Sequence, residues 1–106
     1  MMTPEINPND VFEILDAKDT VILDIRDERS FGQGHIPGAK NLLQDDMESF
    51  IGESNKADNY IVVCYHGNSS KAATNFFLGL GFEKVHSMSG GMVMWSSLFP
   101  NKMTDN

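Results

Sequence analysis

Two stretches of this chain are apolar almost without a break, "TVILDI" at 20–25 and "NYIVVCY" at 59–65. Runs of that length, rich in β-branched residues, predict strands buried on both faces. After the second run the period becomes helical. "SSKAATNFFLGLG" (69–81) puts Ala72, Ala73, Phe76, Phe77 and Leu80 on one side of a helix, with glycines to stop it. "GGMVMWSSLF" (90–99) predicts a last helix opened by Gly90 and Gly91, with Met94, Trp95 and Leu98 turned to the core. "EI" (5–6) and "KVHSM" (84–88) read as short strands. Asn7 stands as the N-cap of a first helix, with Pro8 at its first position, Asp10 in its first turn, and Val11, Phe12 and Leu15 as its apolar face. "FGQGHIPGAKNLL" (31–43), rich in Gly and Pro, reads as a loop returning through a short strand at "AKNL". "DDMESFI" (45–51) predicts a helix opened by a capping box of Asp45 and Glu48.

Alternating strands and helices predict an α/β fold with a parallel sheet covered on both sides. Ligands in such folds sit at the carboxyl ends of the strands, which is where Cys64 falls. With 106 residues, 41% of them hydrophobic, the chain suits a single domain spanning 1–106. No window is apolar over the length that crosses a bilayer, so no membrane partner is expected. The polar start "MMTPEINPND" lacks the basic and apolar segments of a secretory signal. A lone cysteine makes no internal disulfide, and the expected location is cytoplasmic. Net charge is −7 and unevenly spread: residues 1–59 carry 13 acids and 5 bases, residues 60–106 only 2 acids and 3 lysines. No basic face is visible, which argues against a nucleic-acid partner. His35, His66 and His86 lack ligand-like spacing, so no metal is expected.

The candidate chemistry lies in "CYHGNSS" (64–70), between strand and helix. A tight turn there can aim successive backbone N–H groups inward as an anion nest. Gly67 allows unusual backbone angles, Asn68 tolerates them, and Ser69 and Ser70 can cap the following helix. The helix N-terminus adds partial positive charge, and Lys71 and a protonated His66 add more. A thiol in that setting ionises below the ordinary value of about 8.5. By itself a lone cysteine at a strand end is more often a small buried hydrophobe than a nucleophile; the surrounding cradle is what favours chemistry. A cysteine phosphatase needs an arginine closing the loop, but Ser70 stands at that position and the only arginines are Arg26 and Arg29. A disulfide oxidoreductase lacks its second cysteine, and His66 is poorly placed as the base of a Cys–His hydrolase.

"LDIRDERSFGQGHIPGAKNL", "VVCYHGNSSKAA" and "MSGGMVMWSSLFP" resemble, in order and spacing, the three signature blocks of the rhodanese domain. The resemblance covers nearly the whole chain and is strongest to the short, single-domain thiosulfate sulfurtransferases. It implies a small α/β fold with a central five-stranded parallel sheet and helices on both faces. It also implies a persulfide cycle: the Cys64 thiolate takes the outer sulfur of thiosulfate, sulfite leaves, and cyanide or a dithiol such as thioredoxin accepts the sulfur. No cofactor is implied. The persulfide would be cradled by N–H groups of residues 65–69, namely Tyr65, His66, Gly67, Asn68 and Ser69, with the Ser69 and Ser70 hydroxyls as further donors. Two-domain relatives carry cations inside this loop where Tyr65 and His66 stand here. That difference implies weak thiosulfate binding, partly compensated by Lys71.

The other blocks read as architecture. Asp24 and Arg26 pair at a strand end and organise loops. His35 makes a fixed hydrogen bond in its turn, Trp95 is core, and Met88, Met92 and Met94 pack. Two further functions fit the same loop: a persulfide carrier fed by a protein donor, and a non-catalytic binding module. Both a monomer and a homodimer are compatible with the sequence.

Overall fold

The computed structural model describes residues 2–106. Five strands, β1 (Glu5–Ile6), β2 (Thr20–Asp24), β3 (Lys40–Asn41), β4 (Asn59–Val63) and β5 (Lys84–Met88), form one sheet of order β1-β5-β4-β2-β3. Every pairing is parallel. The connecting helices are α1 (Pro8–Ile14), α2 (Glu28–Gln33), α3 (Met47–Glu53), α4 (Ser69–Gly79) and α5 (Gly91–Leu98).

The two apolar runs become the central strands β2 and β4, paired from Thr20↔Asn59 to Asp24↔Val63. Successive side chains on a strand point to opposite faces, so each run feeds two cores. One core joins Ile22, Ile61 and Val63 to Val11 of α1 and to Met92 and Trp95 of α5. The other joins Leu23, Tyr60 and Val62 to Phe50 of α3 and Phe77 of α4. Ile61, Val62 and Val63 are fully buried, each stabilising the fold by roughly 1.5–3 kcal/mol relative to exposure. The Asn7 side chain accepts from the Asp10 N–H, as the first helix requires.

Four sequence expectations need correction. Residues 28–33, the start of the Gly-rich stretch included, are helical: the Asp27 side chain caps the Ser30 N–H and opens α2 despite Gly32. The capping box of Asp45 and Glu48 does not form. A 3-10 turn at Gln44–Asp46 enters α3 instead, without a side-chain cap. On α4 the buried stripe is Ser70, Thr74 and Phe77, while Phe76 and Leu80 are exposed. On α5 the buried residues are Gly91, Met92 and Trp95, while Met94 and Leu98 are exposed. On α4 the sheet takes the face that brings Ser70 close to Cys64, with Phe77 below it, whereas α5 turns Gly91, Met92 and Trp95 inward and leaves Met94 and Leu98 outward.

Candidate active site

β4 ends at Val63, and Cys64 follows with only 4% of its surface exposed. The chain then turns sharply through Gly67 (φ +88°) into α4. A Cβ at Gly67 would lie 2.8 Å from the Gly90 nitrogen, so side chain and conformation both demand glycine. The turn is also gripped from behind. The first turn of α5 donates the Met92 N–H to the Cys64 carbonyl at 2.8 Å and the Val93 N–H to the Tyr65 carbonyl at 3.0 Å. These are helix-end donors that would otherwise lack partners. A Cβ on Gly91 would collide with both carbonyl oxygens.

Held this way, the loop converges on the sulfur. The Gly67 N–H lies 3.2 Å from Cys64 Sγ and the Ser70 N–H 3.3 Å. Ser70 Oγ lies 3.2 Å from the same atom. Burial pushes the thiol up, but hydrogen bonds from the Ser70 hydroxyl and the N–H groups of Ser70, Gly67 and His66 outweigh it, so Cys64 sits below the ordinary thiol value. Thus Gly67 donates from within the expected 65–69 span, and Ser70 adds a backbone donor beyond it. Asn68 is the N-cap residue of α4 but makes no side-chain cap bond. The Ser70 hydroxyl turns to the sulfur instead of capping, and Ser69 is exposed.

Tyr65, His66 and Asn68 line the outside of the loop and are exposed. The Tyr65 hydroxyl donates to Asp27 at 2.7 Å and contacts Ser30, tying the loop to the start of α2. Together with the Ser30 bonds this holds the Asp27 carboxyl down to about 2. Lys71 carries its ammonium to Glu5 on β1, 3.9 Å away, with both side chains nearly half exposed.

Beside the cradle, Asp24 and Arg26 pair in a fork. Arg26 Nε lies 3.0 Å and Nη2 2.8 Å from the carboxylate oxygens, and Nη2 also donates to the Gly34 carbonyl at 2.7 Å. The Asn41 side chain on β3 donates to the carbonyls of Asp24 and Arg26, so the turn after β2 is tied to β3 and, through Arg26, to the end of α2. His35 donates from Nδ1 to the Phe31 carbonyl at 2.7 Å and stacks on the Phe31 ring. Trp95 is fully buried. Sequence reasoning missed Ser87, a buried β5 residue whose Oγ lies 2.6 Å from Ser70 Oγ. Its only signal was its neighbourhood across the sheet, which one sequence does not display.

A parallel five-stranded α/β sheet with a buried cysteine in the loop at the carboxyl end of a central strand is the architecture of rhodanese-like domains, and the chain belongs to that family: the rhodanese-like domain model matches residues 7–98. Among curated relatives it is 42% identical over 91 residues to a thiosulfate sulfurtransferase GlpE of Pseudoalteromonas translucida, covering 86% of this chain and 87% of that one. It is 40% identical over 90 residues to the protein of the same name in Shewanella oneidensis, covering 85% and 89%. Among solved structures, a rhodanese-related protein of Thermoplasma volcanium superposes with a TM-score of 0.78 at 27% identity, covering 90% of this chain and 92% of that one.

Proposed function

We propose that this chain is a thiosulfate sulfurtransferase that carries sulfur as a persulfide on Cys64. The observation that carries the proposal is the convergence of the Gly67 N–H, the Ser70 N–H and the Ser70 hydroxyl on Cys64 Sγ. Those donors stabilise a sulfur anion without a neighbouring cation, and preorganised donors of this kind cost no rearrangement as charge moves. The names of the relatives point to the same donor.

In the first half-reaction the Cys64 thiolate attacks the outer sulfur of thiosulfate. The sulfur–sulfur bond breaks toward the leaving group, sulfite departs with the electron pair, and Cys64 is left as a persulfide anion. In the second half-reaction cyanide attacks the outer sulfur, thiocyanate leaves and the thiolate returns. A dithiol such as thioredoxin can replace cyanide: one thiolate takes the sulfur, and its second thiol closes a disulfide and releases hydrosulfide. Ser70 stands where a phosphatase would need its arginine, and Arg26 is committed to Asp24 and Gly34. The loop therefore offers no fork for a tetrahedral phosphate.

The test is the intact mass of the protein before and after thiosulfate, beside Cys64→Ser. The expected result is a gain of one sulfur atom that needs Cys64 and vanishes on adding cyanide. A thiol that alkylates readily but gains no sulfur would eliminate thiosulfate as donor. Loading from a protein persulfide would then identify a carrier.

A further inference from the structure

Cys64 is one end of a line of three buried side chains. Sγ lies 3.2 Å from Ser70 Oγ, and Ser70 Oγ lies 2.6 Å from Ser87 Oγ. Ser87 sits on β5, on the face it shares with Val85, and both serines are fully buried. Ser70 is the only hydrogen-bond partner of the Ser87 hydroxyl among the described residues.

A serine hydroxyl has one proton to give. Ser70 has two acceptors within reach, the sulfur and the Ser87 oxygen. If Ser70 donated to Ser87, the Ser87 proton would be stranded in the core, and a buried donor without an acceptor is costly. The satisfied order is the reverse: Ser87 donates to Ser70, and Ser70 donates to the sulfur once Cys64 has lost its proton. Hydrogen bonds in a line polarise one another, so a Ser70 hydroxyl that accepts from Ser87 is a stronger donor. The contact also holds the Ser70 oxygen in place against the sulfur.

We propose that Ser87 is a positioning residue of the sulfur site, committing the single proton of Ser70 to Cys64 and acting on the sulfur only through Ser70. This rests on Cys64 being the reacting group. Ser87 is fully buried and its hydroxyl bonds Ser70, not the sulfur, so its route to Cys64 runs through Ser70.

The experiment is the rate of iodoacetamide alkylation against pH, read by intact mass, for wild type, Ser70→Ala, Ser87→Ala and the double variant. The charged and titratable groups around the site are Asp24 at the end of β2 with Arg26 just beyond it, Asp27 before α2, His66 in the loop, the Lys71–Glu5 pair, and His86 on the other face of β5. They are common to all four proteins and cancel in the comparison. Ser70→Ala is expected to raise the midpoint by about one pH unit and Ser87→Ala by about half as much. The double variant should coincide with Ser70→Ala, because the route is already cut. A Ser87→Ala midpoint at or below wild type overturns the proposal. So does a Ser70→Ala midpoint at wild type, or a double variant displaced beyond Ser70→Ala. Alkylation needs no sulfur donor, so the result stands whether or not thiosulfate loads the thiol.

Discussion

Two strands end side by side in this molecule, and each places an acidic group in the interior. β2 ends on Asp24, paired with Val63 at the end of β4, and the Cys64 thiol follows one residue beyond. Asp24 is met by a full positive charge: Arg26 grips it with Nη2 at 2.8 Å and both groups are buried. Cys64 is met by neutral donors alone. On the proposed function, the difference separates a structural anion from a working one. A buried, forked ion pair is deeply bound, so its carboxylate is never free to react. Backbone N–H groups and a hydroxyl favour the charged sulfur enough to lower the thiol but leave it nucleophilic, and they suit a charge that moves one atom outward as well as one on the thiol itself.

The sharpest way to break the comparison is Arg26→Ala. It strands the Asp24 carboxylate among loops that depend on the pair, and stability in urea should fall by about 3–5 kcal/mol. A loss under about 1 kcal/mol would mean that the pair is no more than a surface contact.

At the other strand end, Ser70→Ala removes one neutral donor and leaves the Ser87 hydroxyl without its partner, so it should cost about 1–3 kcal/mol of stability, less than Arg26→Ala, while changing the chemistry. The folded thiol lies below its unfolded value, so the thiolate and the stability it contributes are fully present above the unfolded value near about 8.5 and are lost as pH falls through the folded one. Sulfur transfer from thiosulfate should therefore slow about five- to tenfold at pH 7 and approach wild type near pH 9, because a thiol that ionises about one pH unit higher keeps roughly a tenth of its thiolate in neutral solution. An equal loss at every pH would place Ser70 in orientation only.

The smallest effect belongs to Lys71→Ala. A half-exposed ammonium 3.9 Å from Glu5 contributes weakly to the field at the site. KM for thiosulfate should rise by no more than about twofold, and the difference should disappear in high salt. A larger rise would show that Lys71 leaves Glu5 for the substrate.

Much of this comparison was legible in the sequence, and the parts that were not share a cause. The buried runs announced β2 and β4, Asn7 and Pro8 announced α1, and the small-residue turn after Cys64 announced the cradle, because each signal is local. α2 was hidden because Gly32 and the Gly-rich stretch outweighed the quiet cap of Asp27 and Ser30. The orientation of α4 was misread because Phe76 and Leu80 outweigh Ser70 and Thr74 in any hydrophobic period, while the sheet selects the face that delivers Ser70 to the sulfur. Ser87 looks like any strand serine until β5 is laid against α4.

The grip of α5 on the loop has a consequence for how the protein is made. The carbonyls of Cys64 and Tyr65 wait for the N–H groups of Met92 and Val93, which are synthesised well after them. While the chain is still emerging from the ribosome, the cradle lacks the helix that braces it, and the cysteine should behave as an ordinary thiol. The lowered thiol is expected only once the last helix docks, so the nascent chain would keep its single thiol subdued while the cradle is still unbraced.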